Sequence, residues 1–222
     1  MKDFDSFMQS QYNEGFYSHK ELQQIGFASI GKNVLLSRLA KIYGASKISL
    51  GNNVRIDDFV ILSGKIEIGN FVHIGAFSSI TGGNSGVIVG DFCNMSSYCK
   101  IFAVSDNFFE GYLAGSCIPA NFRKLRDAQV VLERFNNFGS HSLALPESYF
   151  PTGSSLGPMS VNLGKKFEEW GYYLGNPARK LSLIDQNQVL KLEKEFLSSI
   201  KETMGGGDKQ YQTITDIKRI AS

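Results

Sequence analysis

The chain has 222 residues, 42% hydrophobic and 20% charged, and its 23 Lys plus Arg against 21 Asp plus Glu leave a formal charge of +2. That length suffices for one domain with a sizeable core and appendages, or for two small domains, while so small a net charge supplies no field to recruit nucleic acid or an anionic membrane surface. Glycine is abundant at 23 and proline scarce at 5, so the glycine excess is not the signature of disorder and has to be structural.

Met1 to Ser6 carries two aspartates where a secretion signal carries a basic segment and an apolar run. No apolar run approaches the ~18 residues a membrane helix needs, so a cytoplasmic protein with no membrane span is expected. Residues 1–24 read as an N-terminal extension, with His19 on the surface at the polar helical start F-Y-S-H-K-E-L.

A period of six then sets in. Leu50, Ile56, Leu62, Ile68, Ile74 and Ile80 are evenly spaced, and Ile30, Leu36 and Ile42 carry the register upstream. It resumes after Gly82 to Gly86 with Val89, Met95 and Ile101, and after residues 107–129 with Leu132, Phe138, Ala144, Phe150 and Leu156. A small or apolar residue sits four positions after each anchor, as Val54, Val60, Ile66, Val72, Ser78, Cys93, Cys99, Ser142, Ser154 and Ser160. Glycine follows many anchors, as Gly31, Gly51, Gly69, Gly75, Gly90, Gly139 and Gly157 do. The three cysteines, Cys93, Cys99 and Cys117, are odd in number without C-x-x-C spacing, which argues against a disulfide framework or a zinc site and for free thiols.

Six suits neither a helix of period 3.6 nor a lone strand of period 2. A stack of short parallel strands accounts for it: each hexad forms one side of a triangular coil, and anchors point inward onto the next coil about 4.8 Å away. An all-β solenoid is expected over residues 25–182, followed by a C-terminal segment, 183–222. In that segment Val189, Leu192, Phe196, Ile200 and Met204 mark a helix with one apolar stripe, ended by Gly205 to Gly207. The tail from Asp208 has no assignable pattern.

The interruption at 107–129 is aromatic, glycine-containing and partly basic. Long insertions in a regular scaffold are usually functional or disordered, and the aromatic content points to a packed loop. Asp106 stands at its base, in S-D-N, where it is either a group of the active site or a turn residue capping its own backbone.

The repeats L-G-N-N-V-R-I-D-D-F-V-I at Leu50 to Ile61 and I-G-N-F-V-H-I-G-A-F-S-S at Ile68 to Ser79, with G-Y-Y-L-G-N-P-A-R-K-L at Gly171 to Leu181, resemble the hexapeptide-repeat acyltransferases over roughly residues 16–181. The resemblance implies a left-handed parallel β-helix with an external loop forming one wall of the active site. It also implies a homotrimer with acetyl-CoA as co-substrate in the cleft between subunits. The start of the chain, with S-D-N-F-F-E-G-Y and the following I-P, resembles in particular the N-acetyltransferases of nucleotide-linked amino sugars. These include enzymes acting on dTDP-linked 4-amino-4,6-dideoxy sugars in O-antigen and capsule biosynthesis.

In the family's sugar O-acetyltransferases a histidine stands where this chain has Asp106. A hydroxyl nucleophile needs a base, whereas an amine carries a lone pair in its unprotonated fraction. An aspartate can orient that amine and stabilise the developing cation without being a strong base. The departure therefore favours an amine acceptor over a sugar hydroxyl, with a non-catalytic scaffold as the further alternative.

His73, one residue before the anchor Ile74, and His141, three after Phe138, face outward and are candidates to contact sugar or phosphates; solvated positions are the other reading. Ser96, in M-S-S-Y, is placed by the resemblance near the transferred acetyl, where it can donate to a developing oxyanion, though small-residue packing explains a serine equally well. The resemblance further implies pantetheine contacts at Gly139, Ser142, Gly157 and Ser160, and contacts from Lys165, Lys166, Arg179 and Lys180 to the phosphates of CoA, against the plain reading of solvated lysines. No metal is expected: zinc needs three converging ligands, and His19 lies off the repeat.

Overall fold

The computed structural model describes residues 15–203. Most of the N-terminal extension, Met204 to Gly207 and the tail from Asp208 lie outside the described residues. The chain forms a left-handed parallel β-helix of about seven turns. Its first face stacks Ser29–Ile30, Ile48–Leu50, Ile66–Ile68, Val87–Val89, Val130–Leu132 and Tyr149–Phe150. The second stacks Leu35–Leu36, Arg55–Ile56, His73–Ile74, Asn94–Met95, Asn137–Phe138, Ser155–Leu156 and Gly171–Leu174, and the antiparallel Arg179–Leu183 closes its end. The third runs from Lys41–Tyr43 to Val161–Asn162.

The register follows the hexads. Ile56 pairs with Ile74, Ile74 with Met95, Met95 with Phe138 and Phe138 with Leu156. Anchors Leu50 to Ile80 are at most 3% exposed, and the positions four residues on, from Val54 to Ser160, are buried as well. Two inward residues per side fill a triangular core of side-chain width, built mainly of Val, Ile and Leu with Ser and Cys in the small-residue column, and with Met95, Phe138 and Phe150 as larger anchors in the later coils. The glycines after the anchors mark close backbone approach: a Cβ on Gly51 would stand 2.5 Å from the carbonyl oxygen of Gly69 on the next coil.

The corners follow a rule the hexad pattern does not contain. Between the first and second faces Asn33, Asn53, Phe71, Phe92, Phe135 and Trp170 have positive φ, and between the second and third faces so do Phe59, Phe77, Tyr98, His141 and Met159. Left-handed backbone costs a non-glycine residue roughly 1–2 kcal/mol. Stacking offsets part of it: Phe59 on Phe77, Phe77 on Tyr98, and Phe71 on Phe92 lie 4.8, 4.9 and 4.9 Å apart between ring centroids.

Helix α1, His19–Ile25, covers the first coil. Ser18 and Glu21 form its capping box, Gly26 ends it at φ 83°, and Leu22 is its buried contact. Helix α2, Gln186–Thr203, lies along the corner between the first and second faces. Its apolar stripe is used there: Phe196 meets Phe71 edge-on at 5.3 Å, and Arg134 pairs with Glu193.

The large insertion leaves the coil as a two-stranded antiparallel ladder, Val104–Asp106 with Leu125–Asp127, so its departure begins at Val104. Its base is fastened polarly. The Asp127 carboxylate accepts from the Asn84 and Ser85 N–H groups, and Arg126 pairs with Glu147 at 2.6 Å. Farther out, Lys124 pairs with Glu110 at 2.6 Å. The aromatics do not pack it as the sequence led us to expect: Phe109 is 88% exposed and Phe108, Tyr112 and Phe122 are exposed too. A ladder and ion pairs order this loop, leaving its rings uncovered in the single chain.

Candidate active site

Asp106 is held at the outer end of the ladder. Gly115 donates its backbone N–H to Oδ2 at 2.9 Å, and Arg123 donates Nε to Oδ1 at 2.9 Å with Nη2 2.8 Å from the same oxygen. Asp106 and Arg123 are both mostly shielded, with 19% and 18% of their side-chain surfaces exposed. The Gly115 N–H, and then Arg123, hold the Asp106 carboxyl below the ordinary carboxylate range against the opposing effect of partial desolvation. Asp106 is therefore anionic near neutrality and a weak base. Of the two sequence readings, the backbone contact it makes is nine residues away at Gly115 rather than within its own turn.

His73 stands on the second face in a different polar group. Its Nε2 lies 2.8 Å from Asp57 Oδ2 and its Nδ1 3.0 Å from Asn94 Oδ1, while Arg55 donates Nε to Asp57 Oδ1 at 2.7 Å. Burial works to raise the Asp57 pKa, but the bonds from His73 and Arg55 outweigh it and the net shift is downward. Arg55, Asp57 and His73 line a groove of about 770 Å³ whose apolar walls include Phe71, Phe92 and, from α2, Phe196. Sequence reasoning missed Asp57, yet the register held a signal: it follows the anchor Ile56, one coil before His73.

His141 is a rung of the second corner, its ring parallel to that of Tyr98 at 4.6 Å. Ser96 is on the same corner, partly exposed, with its N–H on the Phe138 carbonyl at 2.9 Å. Asp106 belongs to the ladder beyond the third face. The four candidates, Asp106, His141, His73 and Ser96, thus lie on three different parts of the structure, and one chain brings only Ser96 and His141 to a common corner.

Among the positions expected to meet CoA, Ser142 and Ser160 turn inward. The Ser142 hydroxyl donates to the Gly139 carbonyl at 2.6 Å and that of Ser160 to Pro158 at 3.1 Å. The N–H groups of Gly139 and Gly157 pair with the next coil at 2.7 Å each. A Cβ on Gly139 would stand 2.4 Å from the Pro158 nitrogen, so that glycine answers to coil packing. Lys165 accompanies the Asn162 turn, Lys166 lies 4.9 Å over the Tyr149 ring, and Arg179 and Lys180 are in the terminal hairpin, where Lys180 pairs with Glu168 at 2.5 Å.

Cys93 and Cys99 are free and buried, and Cys117 is free and exposed. The Cys93 thiol donates to the Glu133 carbonyl at 2.9 Å, and burial pushes its pKa up to about 12. Among the described residues no cluster of three or more His, Cys, Asp or Glu is arranged to hold a metal, and no helix is long and apolar enough to cross a membrane.

Residues 47–82 match the bacterial transferase hexapeptide family of six repeats. The chain is 32% identical over 182 residues to the dTDP-4-amino-4,6-dideoxy-D-glucose acyltransferase of Escherichia coli, covering 81% of this chain and 93% of that one. Among solved structures it resembles AntD, an N-acyltransferase from Bacillus cereus, in complex with dTDP and 3-hydroxybutyryl-CoA. There the identity is 41%, the TM-score 0.82, and the coverage 84% of this chain and 98% of that one. A serine-to-alanine variant of the same protein, bound to dTDP-4-amino-4,6-dideoxyglucose and coenzyme A, matches at 40% identity with TM-score 0.81, covering 83% of this chain and 98% of that one. With its hexad register, its corner ladders and its external loop, this chain belongs to the hexapeptide-repeat acyltransferases.

Proposed function

We propose that the protein transfers an acyl group, acetyl in the first instance, from its CoA thioester to the C4 amine of a dTDP-linked 4-amino-4,6-dideoxy sugar. The substrate class is the one named for the Escherichia coli relative and bound in the AntD complex. The product is a building block for O-antigen or capsule polysaccharide, made in the cytoplasm. The observation that carries the site is an interval. The AntD variants solved with ligands change one serine and one aspartate, separated by the same interval as Ser96 and Asp106 here.

In this reading the unprotonated amine attacks the thioester carbonyl directly. Asp106 accepts a hydrogen bond from the amine and orients its lone pair, while the Ser96 hydroxyl donates to the oxyanion of the tetrahedral intermediate. Collapse expels the CoA thiolate, which takes up the proton the amine loses; amide and free CoA are the products, and no acyl-enzyme forms. His141, beside Ser96 on its corner, and His73 on the second face contact sugar or phosphates. Lys165, Lys166, Arg179 and Lys180 meet the CoA phosphates, and the coil edge around Gly139, Ser142, Gly157 and Ser160 meets the pantetheine arm.

Ser96 lies on the second corner and Asp106 on the loop ladder beyond the third face, so the reacting pair is completed by a neighbour: the loop of one subunit meets the Ser96 corner of the next in a homotrimer. Uncovered rings on both elements support this, Phe108 and Phe109 on the loop and Phe77 and Tyr98 on the corner. Mixing inactive Ser96→Ala and Asp106→Ala chains and reassembling them tests it. Recovery of activity is expected from an intersubunit site, and none from sites within single chains.

A further inference from the structure

We infer that Arg123 is a positioning residue that occupies one side of the Asp106 carboxylate, so that Asp106 orients the sugar amine without trapping it as an ammonium ion. The inference rests on the reading that Asp106 faces the amine. A bare carboxylate next to an amine poses a problem for this chemistry: opposite charge within about 4–6 Å favours the protonated amine, which has no lone pair to attack with. A bare aspartate where the family's O-acetyltransferases carry histidine would thus gain an acceptor and lose nucleophile.

The geometry around Asp106 removes that conflict. An ionised carboxylate has about four acceptor positions. Arg123 directs both Nε and Nη2 at Oδ1, at 2.9 and 2.8 Å, and the Gly115 N–H takes one position on Oδ2 at 2.9 Å. One position on Oδ2 is left for the amine. The guanidinium also offsets the carboxylate charge that would otherwise raise the amine's pKa, and its own positive charge opposes protonation nearby. The other charged groups of the ladder are already engaged: Lys124 with Glu110, Arg126 with Glu147, and Asp127 with the Asn84 and Ser85 amides. Arg123 is therefore the cation that sets the electrostatics of Asp106 in the described residues.

The pH dependence of kcat tests this, since its acid limb reports the amine in the bound complex, while that of kcat/KM reports free enzyme and free substrate. In Arg123→Gln the acid limb of kcat should move up by roughly one pH unit, with KM for the amino sugar unchanged or lower at acid pH and the kcat/KM limb in place. Arg123→Lys should return the limb most of the way, because charge rather than the planar fork is what matters. On the unaltered enzyme with CoA bound, NMR titration of the bound amine nitrogen should give a pKa no higher than that of the free sugar. An Arg123→Gln profile lowered by the same factor at every pH, or a bound amine with a raised pKa, overturns the inference. Asp106→Asn separates the two levels: if it keeps full kcat/KM, the assignment of Asp106 itself fails, and with it this inference; if it loses activity while Arg123→Gln keeps the original limb, only the role of Arg123 fails.

Discussion

The imidazole of His141 lies flat on the ring of Tyr98, centroids 4.6 Å apart and planes 5° from parallel, at a residue whose own φ is +61°. His141 is thus a rung of a corner ladder that runs Phe59, Phe77, Tyr98, His141, and the same ring is proposed to touch substrate. The two roles separate by mutation. His141→Phe keeps the stack and should leave the melting temperature nearly unchanged, yet lower kcat/KM about tenfold or more if the ring nitrogens bind substrate. His141→Ala should also cost stability, by about 0.5–1.5 kcal/mol for the lost aromatic contact.

Gly51→Ala tests the coil spacing. Its Cβ would meet backbone atoms of Gly69 at 2.5 and 2.6 Å, which no rotamer change relieves, so a loss of about 1–3 kcal/mol is expected in denaturant unfolding. Gly15→Ala, with nothing within 4 Å, should stay within about 0.5 kcal/mol of the original.

Acid should weaken the second face through Asp57. Burial alone would raise its pKa, but the bonds from His73 and Arg55 lower it below the ordinary value of 3.8. The sign follows from linkage: the stabilisation is complete above the unfolded-state pKa and is lost as pH falls toward and through the lower folded value. Asp57→Asn should be less stable at neutral pH and show a flatter dependence of melting temperature between about pH 5 and pH 3. Equal slopes in the two proteins would remove Asp57 from the acid response.

Thiol chemistry should divide the cysteines. Cys93 and Cys99 are 1% and 0% exposed, Cys117 is exposed, and burial raises both inner thiols above their ordinary pKa. An aromatic disulfide reagent should titrate one thiol per native chain and three after unfolding. Fast reaction of more than one native thiol would contradict the packing of the small-residue column.

Much of this architecture was legible because it is local and repeated. Every anchor from Leu50 to Leu156 faces the core, and the small-residue column is buried from Val54 to Ser160; a period of six states both in a single pass. The corner ladders were not legible, since left-handed backbone at Phe71, Tyr98 or His141 is favoured only once coils have stacked the rings. The site was half legible. Asp106 stands out as a departure from a repeat and a family pattern, but Arg123, 17 residues on, reads as one basic residue among several in R-K-L-R until the ladder brings it across from Asp106. The loop's aromatic residues misled for a related reason: composition records that rings are present and not whether this chain alone covers them.

The most direct test is to supply the protein with acetyl-CoA and dTDP-4-amino-4,6-dideoxyglucose, follow free thiol, and identify the acylated atom by mass spectrometry and NMR, with the 4-hydroxy sugar nucleotide in parallel. Amine acylation is expected, with one thiol released per amide formed and little turnover of the hydroxyl compound. Thiol release no faster than spontaneous thioester hydrolysis, or acylation of the hydroxyl compound at a matching rate, would contradict it.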